Sequence, residues 1–140
     1  MAKRSGTELL AGVPLFQGLS ARHLRRIRDL AEPADYMAGA SLVKQGTEGD
    51  SFFVILEGLA KVVAGKRTIN RLMPGDYFGE ISLLDGGERT ASVVSETPLK
   101  VLIIERRRFL KMLEQENAIA VAMLEGMARA IRRSDRSLSG

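Results

Sequence analysis

The chain has 140 residues, 45% hydrophobic and 27% charged, with a formal net charge of +4 and no cysteine. That is enough for one domain with a packed core and too little for two, and the composition excludes an extended disordered chain. The lack of cysteine excludes disulfides, thiolate metal sites, iron–sulfur clusters and cysteine nucleophiles, and suits a reducing, cytoplasmic setting.

In chain order, Met1-Ala2-Lys3-Arg4 leads into a polar stretch, not the apolar segment of a signal peptide. Ser20 reads as an N-cap, and residues 20–31 set Leu24, Ile27 and Leu30 on one face, which predicts a short N-terminal amphipathic helix. From about 33 to 104 the pattern changes. Turn signals at Gly39, Gly46, Gly58, Gly65, Pro74-Gly75, Gly86-Gly87 and Pro98 divide β-rich stretches such as Ser51–Leu56, Ala91–Val94 and Val101–Ile104. Such punctuation predicts an α+β chain built on an antiparallel β jelly roll, a double-stranded β-helix.

After Glu105 helical spacing returns. Residues 106–115 place Phe109, Met112 and Leu113 on one face, a break falls near Glu116-Asn117, and a second C-terminal helix covers about 117–133. In it Ile119, Met123, Met127 and Ile131 recur every four residues, a stripe that suits core packing or a partner-helix seam. Gly126 inside it marks a close helix contact or a point of bending, and residues 133–140 read as a frayed end. The longest apolar runs, Phe52–Leu56 and Val101–Ile104, are far short of the ~20 residues that span a bilayer.

The positive charge lies on the flanks: residues 1–30 and 106–140 carry net +8, and residues 31–105 net −4. Arg25-Arg26 and Arg106-Arg107-Arg108 read as solvated helix faces, because no aromatic residues are interleaved with them as base-stacking platforms. The single His23, among arginines, reads as a surface residue, and clustered metal ligands are missing, so neither a haem ligand nor a cupin-like metal enzyme is expected. No nucleophile and base are paired, so no catalytic residues are assigned.

The most informative stretch runs from Tyr77 to Val93. Gly79 lets backbone approach a ligand, and residues 80–84 then form one helical turn whose free N–H groups face an anion. Ten residues on, Arg89 offers a planar fork for two phosphate oxygens, and Thr90 a hydroxyl. A carboxylate beside such a site repels phosphate unless it does other work, and Glu80 is suited to accept from a sugar hydroxyl. The same residues also fit a plain hairpin turn and a surface ion pair, and spacing alone does not choose.

Phe78-Gly-Glu-Ile-Ser-Leu-Leu84 with Glu88-Arg-Thr-Ala-Ser-Val93 resembles the phosphate-binding cassette of the cyclic nucleotide-binding domain family. That family includes the bacterial catabolite activator protein, the regulatory subunit of protein kinase A and cyclic-nucleotide-gated channels. The likeness runs from about Leu10 to Arg132 and includes Val13-Pro-Leu-Phe16, Val43-Lys-Gln-Gly46 with Gly49-Asp50, Phe53–Gly58 and Pro74–Phe78. It implies that Glu80 accepts from the ribose 2′-hydroxyl and Arg89 pairs with the exocyclic phosphate oxygens. Backbone N–H groups near Gly79, Ile81 and Ala91 complete the cradle, so the implied ligand-binding set is Phe78, Gly79, Glu80, Ile81, Ser82, Arg89, Thr90 and Ala91. Gly46, Gly58 and Gly75 are left to strand turns.

The resemblance implies no cofactor beyond the ligand, which is read as cyclic AMP ahead of cyclic GMP, Thr90 fitting either base. Met123, Met127 and Arg129 are candidates for base or lid contacts, core packing being the alternative for both methionines. Residues 117–132 are the expected surface for a homodimer or an effector. The transcription factors of this family continue into a helix-turn-helix, which has no room before Gly140, so direct nucleic-acid binding is not expected. A module that keeps the fold without ligand is the competing reading, and intact Glu80 and Arg89 argue against it.

Overall fold

The computed structural model describes residues 5–139, with side chains as far as Asp135. Met1–Arg4 and Gly140, and with them the reading of the first four residues, lie outside the described residues. Two compact units form, one from the residues up to Asp29 together with those from Lys111 onward, the other from Leu30 to Leu110.

The second unit is the jelly roll. Its strands are β1 (Glu32–Tyr36), β2 (Ser41–Val43), β3 (Ser51–Glu57), β4 (Ala60–Ala64), β5 (Arg67–Leu72), β6 (Tyr77–Phe78), β7 (Ser92–Ser95) and β8 (Leu99–Glu105). They form two four-stranded sheets, ordered β1-β8-β3-β6 and β2-β7-β4-β5, with every strand pair antiparallel. Alternate residues of both sheets meet in one core: Phe53, Ile55, Leu99 and Val101 come from the first, Ala60, Leu72 and Val93 from the second. Each large aliphatic or aromatic side chain buried there contributes roughly 1.5–3 kcal/mol. The β3 to β6 register sets Phe53 opposite Phe78, and their rings stack at 4.6 Å. That stack fixes the strand leading into the cassette. A short helix, α3 (Ser82–Asp85), follows it, two residues later than the 80–84 turn expected; Leu83, fully buried, anchors it.

The other unit is helical. It opens with α1 (Gly6–Ala11), whose Ser5 hydroxyl accepts from the Glu8 amide at 3.2 Å, and a 3-10 turn at Pro14–Phe16. Neither was expected, since α1 is six residues long and its adjacent Leu9 and Leu10 show no period. The expected N-terminal helix is α2 (Ala21–Arg28); Ser20 caps it by accepting from the His23 amide at 3.1 Å. It stops short of Leu30, which is buried beyond its end. The C-terminal helices are α4 (Arg106–Gln115) and α5 (Asn117–Ser139), broken at Glu116 as expected. However, α5 runs past residue 133 to Ser139, further than its apolar period, which ends at Ile131, had marked. Among the described residues no helix is long and apolar enough to cross a membrane.

Gly126 packs closely. A Cβ there would lie 2.4 Å from the Gln17 carbonyl oxygen, so only glycine lets α5 rest on the end of the 3-10 turn.

Candidate functional site

The roll unit encloses a cavity of about 370 Å³, beside the cassette. Seven of the expected residues line it: Phe78, Gly79, Ile81, Ser82, Arg89, Thr90 and Ala91. Apolar surface comes from Val43, Val62 and Val93, which sequence reasoning missed; strand alternation marks them as inward, but only sheet pairing brings β2, β4 and β7 together. Asp85 and Glu88 also line it, and the Asp85 carboxylate accepts from the Gly87 amide at 2.7 Å.

Arg89 is the buried cation of the site, 7% exposed. Its Nη2 donates to the Ser51 carbonyl at 2.7 Å, while its Nε is shielded from solvent with no partner among the described residues. Burial pushes the guanidinium below its ordinary pKa, and the nearby Asp50 carboxylate opposes that shift. The backbone is pinned on both sides: the Arg89 amide donates to the Thr47 carbonyl at 2.7 Å, and the Arg89 carbonyl accepts from the Gly46 amide at 2.9 Å. The Gly49 amide donates to the Gly87 carbonyl at 2.8 Å. Residues 44–51 thus form a buttress under the cassette, a role the sequence reading did not give to the Gly46 turn.

Gly79 has φ +85°, and a Cβ on it would fall 2.5 Å from Arg89 Nη1 and 2.7 Å from the Ser51 carbonyl oxygen. Space and conformation both demand glycine. The amides of Gly79, Ile81, Ser82 and Ala91 have no hydrogen-bond acceptor among the described residues, so the cavity combines open N–H donors with a guanidinium. Such a set is built to receive an anion.

Glu80 is half-buried between Gly79 and Ile81 but is not among the residues lining the cavity. Its charge is felt at Tyr77, whose pKa is raised first by burial, then by Glu80 and Asp76. Arg106, read from sequence as part of a solvated helix face, is instead half-buried and bonded inward. Its Nη2 donates to the Leu84 carbonyl at 2.8 Å and its amide to the Asp50 carbonyl at 2.8 Å, tying the first residue of α4 to both α3 and the buttress. Met123, Met127 and Arg129 belong to the helical unit; Met123 is buried at 3% exposure, Met127 is half-buried and Arg129 is exposed.

The profile of the cyclic nucleotide-binding domain matches residues 33–116. The chain belongs to that family. It is 36% identical over 115 residues to a cAMP-dependent protein kinase regulatory subunit of Mycosarcoma maydis, a match covering 76% of this chain and 22% of the relative. The chain therefore spans about a fifth of that relative's length. Among solved structures, the N-terminal domain of a transcriptional regulator from Streptomyces coelicolor A3(2) superposes with a TM-score of 0.81 at 26% identity, covering 91% of this chain and 95% of that one. The Thermus thermophilus catabolite activator protein superposes with a TM-score of 0.65 at 30% identity, covering 91% of this chain and 62% of that one. The jelly roll with flanking helices is the architecture of these family members.

Proposed function

We propose that the chain is a regulatory domain that binds cyclic AMP, with cyclic GMP the weaker ligand, and passes the binding event to its C-terminal helices. The observation that carries this is Arg89: a buried, underpaired guanidinium facing a cavity whose other donors are open backbone N–H groups. A cyclic phosphate fits that set, with Arg89 on its exocyclic oxygens and the amides of Gly79, Ile81 and Ala91 around it. The valine and Phe78 surface suits the sugar and base, Thr90 lies at the base side, and Glu80 takes the ribose 2′-hydroxyl through rearrangement of the short turn that holds it. Kinship with a cAMP-dependent kinase regulatory subunit supports adenine over guanine. The chain is read as a binding module and not an enzyme.

The test is isothermal titration with cyclic AMP, cyclic GMP and 5′-AMP. Saturable binding of cyclic AMP, weaker binding of cyclic GMP and none of the open-ring nucleotide is expected; no binding of either cyclic nucleotide would sink the reading.

A partner surface goes with it. Val121, Leu124 and Ile131 are exposed at 51%, 62% and 62%, and with the exposed Ala128 they recur at heptad-like spacing along α5. A second copy pairing along this stripe would bury it. Sedimentation equilibrium should give a dimer that Leu124→Lys converts to monomer; a monomeric parent chain would remove the proposal.

A further inference from the structure

The helical unit holds a cavity of its own, about 500 Å³, within the roughly 300–1,000 Å³ of ordinary small-ligand sites. One wall is α2, with Arg22, His23, Arg25, Arg26 and Asp29; the other is the break between α4 and α5 at Glu116–Ile119. Arg22, Arg25 and Arg26 stand three and four residues apart, so three guanidinium groups crowd one side of a short helix, where like charges repel. Arg22 also lies in the first turn of α2, at the positive end of the helix dipole, and that turn has no acidic residue.

Only one of the three is neutralised. Arg26 Nε donates to Glu116 Oε1 at 3.0 Å, whereas Arg22 and Arg25 meet no carboxylate among the described residues. Asp29 faces the cavity too, so three guanidinium groups stand against two carboxylates, one of which is already engaged. His23 lines the same space, and its Nδ1 is shielded from solvent without a hydrogen-bond partner among the described residues. An unmatched cationic surplus and an orphaned imidazole nitrogen around one cavity describe a place for an anion with several acceptor oxygens.

We propose that this cavity is a second site, distinct from the cyclic nucleotide cavity, that takes a small phosphate-bearing molecule held by the forks of Arg22 and Arg25 with His23. Because its walls are α2 and the joint between α4 and α5, an occupant bridges α2 and the start of α5. It acts as a separate input on the C-terminal helices. The proposal does not rest on cyclic nucleotide binding at Arg89.

The test uses inorganic pyrophosphate as the probe, titrated into the full chain with backbone amide signals followed by NMR at constant ionic strength. Saturable shifts of the amides of residues 22–26 and 117–119 are expected. In the Arg22→Gln/Arg25→Gln variant, whose altered side chains are both exposed, pyrophosphate should bind about tenfold more weakly or worse, while cyclic AMP binds as it does to the parent. A linear drift without saturation, equal affinity in the variant, or shifts confined to residues 79–91 would each overturn the site. If cyclic AMP fails to bind the parent while pyrophosphate saturates at residues 22–26, the proposed function fails and this site stands.

Discussion

Arg89 poses a problem of charge. At 7% exposure it carries one hydrogen bond to the Ser51 carbonyl, its Nε has no partner among the described residues, and burial disfavours its charged form. Arginine does not shed its proton under ordinary conditions, so the strain is relieved by an arriving anion. Two charge-assisted bonds at about 1.5–3 kcal/mol each predict that Arg89→Ala weakens cyclic AMP binding by at least about 100-fold in titration calorimetry. The melting temperature should stay close to the parent's, because losing a poorly paired buried charge offsets the lost bond to Ser51. An affinity within about tenfold of the parent would rule out the assigned role. Most residues of this cavity could be read from sequence because Phe78–Ser82 and Arg89–Ala91 are two short continuous runs. Val43, Val62 and Val93 could not, since the pairing of the strands brings them there and single-chain spacing does not encode it.

Among the elements, α2 was legible from its serine cap and apolar period, and α4 from Phe109 and Met112, both buried as their spacing required. Two others were less so. The edge strand β5 has the polar sequence Arg67-Thr-Ile-Asn-Arg-Leu72, exposed along all but its last residue, and so carries no alternation to read. The fit of α5 on the 3-10 turn turned on Gly126, for which sequence left contact and bending both open. Gly126→Ala would place a methyl group 2.4 Å from the Gln17 carbonyl oxygen, a backbone atom with no rotamer to move aside. Alanine would add up to about 1 kcal/mol of helix propensity, and overpacking would remove about 1–3 kcal/mol. Urea unfolding should therefore show net destabilisation; an unchanged or raised midpoint would show that the contact is not tight.

For the whole molecule, the jelly roll, with helices before and after it in the chain, was legible because its glycine turns and apolar stretches alternate at strand length. The division into two compact units was not, because residues up to Asp29 and from Lys111 onward are far apart in sequence and share no motif. Arg106 links the cassette to α4 through the Leu84 and Asp50 carbonyls, so a ligand that repositions α3 also acts on the start of α4. Hydrogen exchange of the amides in residues 106–132 should change on adding cyclic AMP; identical protection with and without ligand would count against any signal to these helices.

The buttress of residues 44–51 has a practical consequence for building sensors from this chain. Its hydrogen bonds to Gly87 and Arg89 fix the backbone on which the guanidinium stands, so an inserted residue there would disable recognition while leaving every cassette residue in place. The two-residue turn at Gly65-Lys66 between β4 and β5 is roomier, since a Cβ on Gly65 would meet nothing within 4 Å, and it touches the buttress through the Gly65 amide, which donates to Gln45 Oε1 at 2.8 Å. A fluorescent reporter spliced in after Lys66, so that this bond is kept, would leave the ligand's surroundings intact.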